Sequence, residues 1–185
     1  MTQQTSTPVA GDLVTLPPAP RTPYFVYGSL MSSNILFSII TPYGSDFCTP
    51  STAKLLRQNQ MVRATLYKHK RHAVVWAEFP AIRRTDNPED FVEGYLVTGL
   101  TAQQESNIAA FESGLYRDEG VEVVMGWGKK TSGESKKARV YVWNGTSAEL
   151  MDPAVGDWTF SKFKESNMYK MRFRGCAGPS DDEED

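Results

Sequence analysis

Glu112 opens a short block, Glu112-Ser-Gly-Leu-Tyr116-Arg117-Asp118, in which residue type and position together suggest proton chemistry. A carboxyl can take up a proton at one step of a reaction and return it at another, provided its pKa lies near the working pH. Residues 101–111 precede it as an amphipathic run, with Ile108 and Phe111 three apart, a Thr101/Gln104 capping box, and Gly114 as terminator. Glu112 therefore falls on a last helical turn, where the partial negative charge of the helix end disfavours ionisation. Burial would act in the same direction. The alternative is a solvated helix-end carboxylate, the ordinary state of an acidic residue.

A second constellation lies near the start, in Tyr27-Gly28-Ser29-Leu30. An apolar strand, Tyr24-Phe-Val-Tyr27, runs straight into the glycine, and Ile35, Leu36, Ile39 and Ile40 then follow at helical spacing behind a serine cap. A strand, a glycine turn and a helix can aim successive backbone N–H groups into one hollow, where they hold a carboxylate or an oxyanion. Glycine permits the positive φ and the close approach such a turn needs. An ordinary strand-to-helix turn is the competing reading. Other candidates are weaker. Cys48 has no partner in sequence among His69 and His72, the two histidines, and reads as a structural or surface thiol. Glu78, in an Ala-Glu-Phe-Pro setting at an expected strand end, is the next carboxyl after Glu112.

The elements that must position these residues are read from periodicity. Strands are expected at 24–27, 61–68, 72–78, 91–98, 121–126 and 138–143, and helices at 32–41, 101–112 and 158–173. Several strands alternate poorly, as strands do when both faces are covered. Residues 126–137, rich in Gly, Ser and Lys, read as a long mobile hairpin loop. Residues 43–60 read as a loop bracketed by Pro42 and Pro50, with a short helical turn at 52–58. Pattern alone gives an α+β domain.

Three segments divide the chain. Residues 1–22 form a tail expected to be disordered, the first 23 residues holding five of the 11 prolines. Residues 23–174 form one domain, and 175–185 an acidic, solvated tail. A length of 185 residues with 40% hydrophobic and 23% charged content suits a single core-forming unit. The net charge of −2 offers no general attraction to nucleic acid or to an anionic membrane. Two distant cysteines, Cys48 and Cys176, argue against a disulfide framework and for a reducing, cytoplasmic setting. No run reads as a membrane span or signal peptide.

Taken in order, the motifs resemble the gamma-glutamylcyclotransferase-like superfamily, which includes the plant avirulence-induced proteins and the gamma-glutamylamine cyclotransferases. The Tyr27-Gly28-Ser29-Leu30 turn matches that family's opening turn. Glu112, Tyr116-Arg117-Asp118 and Val121-Glu-Val123 resemble its acidic block and the strand behind it. Arg63–Leu66, Phe79–Ile82 and Val92–Val97 are similar to its early barrel strands, Arg139–Trp143 to its late one, and Trp158…Phe163 to its closing helix. The resemblance spans about residues 24–171. It implies a small mixed β-barrel with flanking helices.

It also implies a cofactor-independent reaction on a small-molecule γ-glutamyl substrate, whose free α-amine attacks its own γ-carbonyl to give 5-oxoproline and a free amine or amino acid. Glu112 would be the acid/base, and the Gly28-Ser29-Leu30 amides the cradle. Tyr27, Tyr116 and Tyr141 would supply hydroxyls to the pocket, or else be core aromatics with satisfied tips. Glutathione, γ-glutamyl dipeptides and γ-glutamyl-ε-lysine all remain candidate substrates. The competing expectation is a non-catalytic binding or regulatory module for a γ-glutamyl-like ligand or a protein partner.

Overall fold

Phe25 and Tyr27 point to one side of the first strand and Tyr24 and Val26 to the other, and both sides are buried. A strand needs two covered faces to be apolar at every position, and here a barrel interior covers one and a layer of helices the other. The computed structural model describes residues 21–42, 49–112, 114–128 and 130–173. Five strands close a barrel in the order β1-β5-β2-β6-β7. They are β1 (Tyr24–Val26), β2 (Met61–Tyr67), β5 (Phe91–Val97), β6 (Tyr116–Trp127) and β7 (Lys130–Trp143). All neighbours are antiparallel except β1 and β7, which close the barrel in parallel at Tyr24 and Arg139. Phe25, Ala64, Leu66, Val92, Leu96, Val123, Val140 and Val142 fill the interior.

Among the described residues five α-helices accompany the strands: α1 (Ser33–Ile40), α2 (Pro50–Gln60), α3 (Ala102–Glu112), α4 (Phe160–Glu165) and α5 (Asn167–Arg172). Local chemistry sets their ends. Ser32 accepts from the Ile35 amide at 3.3 Å. The Thr101/Gln104 box forms in both directions, at 2.9 and 3.3 Å. Gly114 takes φ +75°, the left-handed conformation in which a helix such as α3 commonly ends. Among the described residues no helix is long and apolar enough to cross a membrane.

Several expectations need correction. The strand expected at 72–78 is instead β3 (His69–Ala73), which pairs with β4 (Pro80–Arg84) as a two-stranded sheet outside the barrel. Its sequence, His-Lys-Arg-His-Ala, carries no apolar period, and 75–78 are spent on the connection back to β4. Phe79–Ile82 thus belongs to this hairpin and not to a barrel strand. Residues 126–137 are not a long loop: β6 and β7 stay paired from Tyr116↔Trp143 out to Trp127↔Lys130, with a bulge between Val124 and Gly126. That arm is held by its backbone ladder, and residues 130–137 are almost all exposed, so no apolar signal marked it. The short turn at 52–58 is a full helix, launched by a Thr49/Thr52 capping box. The single helix at 158–173 is two helices, broken at Ser166 with ψ 159°.

Of the tail at 1–22, Arg21 is held to Glu105 of α3 by paired contacts of 2.6 and 2.8 Å. Residues 1–20, 43–48 and 174–185, with Cys48 and Cys176, lie outside the described residues.

Candidate active site

Tyr27 follows β1, and the chain then tightens into a single 3-10 turn, Gly28–Met31, before α1 begins. Gly28 has φ +59°. A side chain there would meet the Pro80 ring, its Cβ only 2.3 Å from Cγ. The turn is therefore pressed against the start of β4, and only glycine satisfies both the backbone angle and the packing. Ser29 and Leu30 line a narrow cavity of about 50 Å³ between the turn, the end of α3 and the start of β6.

Glu112 lines the same cavity, as do Tyr27, Tyr116 and Tyr141. Six of the seven residues singled out from the sequence thus converge on one hollow, and Gly28 sits immediately behind it. Burial pushes the Glu112 carboxyl up to about 8, so it holds its proton at neutral pH. Among the described residues no hydrogen bond or ion pair is made to it. The Tyr27 phenol is driven well above its ordinary value by burial, and further by Tyr116 and Glu112 facing it. Tyr116 rises for the same first reason, with Glu112 again adding. Removal of one proton from this trio makes the next removal harder.

The tyrosine tips are already engaged. Tyr27 donates to the Tyr141 carbonyl at 2.9 Å and Tyr116 to the Pro80 carbonyl at 2.7 Å. Tyr141 stacks on Tyr24 with ring centroids 5.9 Å apart, and burial raises its phenol as well. These rings build and fix the wall. Sequence reasoning missed the other wall residues, chiefly Phe79, Pro80, Phe111, Leu115 and Met168. Phe79 and Leu115 lie beside singled-out motifs, whereas Met168 comes from α5, far along the chain, and carries no local signal.

Glu78 is elsewhere. Its carboxylate accepts the amides of Asn167 and Met168 at 3.2 and 2.8 Å, capping α5, and these bonds hold its pKa below the ordinary value. His69 and His72 face backbone carbonyls through Nδ1, at 2.9 and 3.1 Å, as donors. Among the described residues no group of three or more His, Cys, Asp or Glu is placed to hold a metal ion.

Barrel, turn and buried carboxyl define the class. The chain belongs to the family described as gamma-glutamyl cyclotransferase, AIG2-like, whose model matches residues 24–160. It is 28% identical over 145 residues to AIG2-like protein D of Arabidopsis thaliana, covering 78% of this chain and 80% of that one. Protein AIG2 B of the same plant is 27% identical over 148 residues, 80% and 73% of the two chains. The crystal structure of YkqA from Bacillus subtilis shares the fold, with a TM-score of 0.50 and 19% identity over 83% of this chain and 52% of that one.

Proposed function

We propose that the protein is a γ-glutamyl cyclotransferase that uses Glu112 as both base and acid. What carries this reading is one juxtaposition: a buried carboxyl held near pH 8 and without a partner among the described residues, in the cavity that the Gly28–Met31 turn walls.

The ionised carboxylate takes a proton from the α-ammonium of a γ-glutamyl group. The freed amine nitrogen attacks the γ-carbonyl carbon of the same group and closes a five-membered ring. The bond from that carbon to the leaving nitrogen then breaks as Glu112 returns its proton there, and the second proton of the ring nitrogen passes to the released amine, which leaves as an ammonium. The products are 5-oxoproline and a free amine or amino acid. No bond to the protein forms, and the carboxylate is regenerated. General acid/base transfer of this kind contributes ~10²–10⁴-fold, and fixing the chain in a ring-closing geometry contributes further. Backbone amides of the Gly28-Ser29-Leu30 turn hold the substrate's α-carboxylate or the developing oxyanion. Tyr27, Tyr116 and Tyr141 shape the wall and keep water out.

The test is release of 5-oxoproline by the purified protein from glutathione, a γ-glutamyl dipeptide and γ-glutamyl-ε-lysine. Turnover of at least one, lost with Glu112→Gln, is the expected result. Saturable binding by calorimetry with the ligand intact after long incubation would instead identify a binding module.

A further inference from the structure

The mouth of the cavity has a chemistry of its own. Of the residues lining it, Leu115 is the exposed one, at 38%, and is where the lining meets solvent. Phe79 stands beside this opening, in ring contact with Tyr116 at 6.1 Å. Trp76 meets Phe79 edge-on at 6.1 Å and Trp143 at 5.9 Å, yet remains 55% exposed, and its neighbour Val75 is 58% exposed. Four rings, Trp76, Phe79, Tyr116 and Trp143, thus run from the cavity wall out to solvent. Trp143 at the base of this row is 2% exposed and Trp76 at its end 55%, so Trp76 is the ring that offers its face to an incoming group.

The charges point the same way. Glu112 is the only carboxyl among the lining residues, which include no Lys, Arg or His. Arg139 packs on the Tyr24 ring but is paired with Asp118 and Glu105. Arg117 is paired with Glu119, and Arg172 lies over Phe111 on the side of a separate, neighbouring groove. A leaving group with its own carboxylate or ammonium would pass Leu115 and Phe79 with no counter-charge in the lining. An apolar one would cover Trp76 and lose water on both sides.

We infer that the leaving amine of the γ-glutamyl substrate carries an uncharged, apolar or aromatic substituent, seated on Phe79, Leu115 and Trp76; this rests on the cyclotransferase reading of the cavity. Trp76, remote from the reacting atoms, is then a specificity residue.

The experiment compares 5-oxoproline release from γ-glutamyl-benzylamide, γ-glutamyl-methylamide, glutathione and γ-glutamyl-ε-lysine. The benzylamide is expected to have the highest kcat/KM, by about tenfold or more, the discrimination that a few buried methylenes supply. Trp76→Ser should lower the benzylamide-to-methylamide ratio about tenfold, a readout that simple loss of folded protein would not move. Leu115→Arg should shift preference towards glutathione by introducing the missing cation. Faster turnover of glutathione or γ-glutamyl-ε-lysine than of the benzylamide by the unaltered enzyme overturns the inference and leaves the cyclotransferase reading standing. So does a ratio indifferent to Trp76→Ser. Release from none of the four overturns that reading, and the inference with it.

Discussion

The Pro80 ring occupies the space that a side chain on residue 28 would need, since a Cβ on Gly28 would lie 2.3 Å from Pro80 Cγ. Two elements 52 positions apart in sequence are thereby locked together, the turn after β1 and the first residue of β4. Gly28→Val should abolish activity and lower stability, by about 1–3 kcal/mol for the overpacking alone. Removing the ring with Pro80→Ala in the same chain should restore part of the stability but not the strain at φ +59°. Ser29→Ala should cost far less, because the backbone donor survives. Chemical denaturation and steady-state kinetics on the three variants check this.

Glu112→Gln keeps the shape and hydrogen-bonding reach of the side chain and removes its proton chemistry. Turnover should fall by roughly two orders of magnitude or more, while affinity for an unreactive γ-glutamyl analogue changes little. Single-turnover kinetics alongside calorimetry separates the two. A variant with near-normal turnover would remove Glu112 from the reaction.

The pKa of Glu112 also fixes a pH signature. In the unfolded chain the group titrates near 4.5 and in the folded protein near 8, so the folded state binds the extra proton between those values. Its contribution to stability is complete below about pH 4.5 and is lost progressively as pH rises to about 8. The Tm of Glu112→Gln should therefore match that of the unaltered protein near pH 4.5 and exceed it at pH 8. Activity should run the other way, rising as the carboxylate forms. Paired thermal-unfolding and rate profiles would show stability and turnover crossing.

Tyr116→Phe removes the bond to the Pro80 carbonyl and leaves the ring in place. A loss of about 0.5–1.5 kcal/mol in stability is expected, with a much smaller effect on turnover than Glu112→Gln. Urea denaturation gives the first quantity.

Glu78→Ala uncaps α5 by taking away the acceptor of the Asn167 and Met168 amides. Tm should fall, with kcat of the folded fraction retained. A kcat loss comparable to that of Glu112→Gln would return Glu78 to the chemistry.

The site was legible from sequence wherever a local rule bears on it. Thr101, Gln104 and Gly114 bracket α3 by capping chemistry that acts within four residues, and so place Glu112 on its last turn. The apolar run at Tyr24–Val26 needs two covered faces, and it has them. Legibility ended where distant segments decide. The β7 side of the β6–β7 arm, residues 130–137, is fixed by ladder pairing while almost all exposed, which leaves no apolar pattern. Ser166 caps the new helix through the Tyr169 amide, and Glu78, 88 positions earlier, receives the amides of Asn167 and Met168 beside it. Met168 reaches the cavity for the same reason.

The parallel join of β1 to β7 has a temporal meaning. It unites the first strand of the chain with the last, and the Tyr27 hydroxyl must travel to a carbonyl 114 residues away. Contacts that span so much chain carry the largest loop-closure cost and are gathered slowly. Yet one side of the cavity wall is made where these two strands meet, by residues 24–27 from one and Tyr141 from the other. Until they meet, Glu112 stands in water as an ordinary carboxylate of low pKa. The raised pKa is thus not a property that Glu112 brings to the fold but one conferred on it by burial, so on the proposed mechanism activity in refolding should arrive with the joining of β1 to β7 and not with the helices.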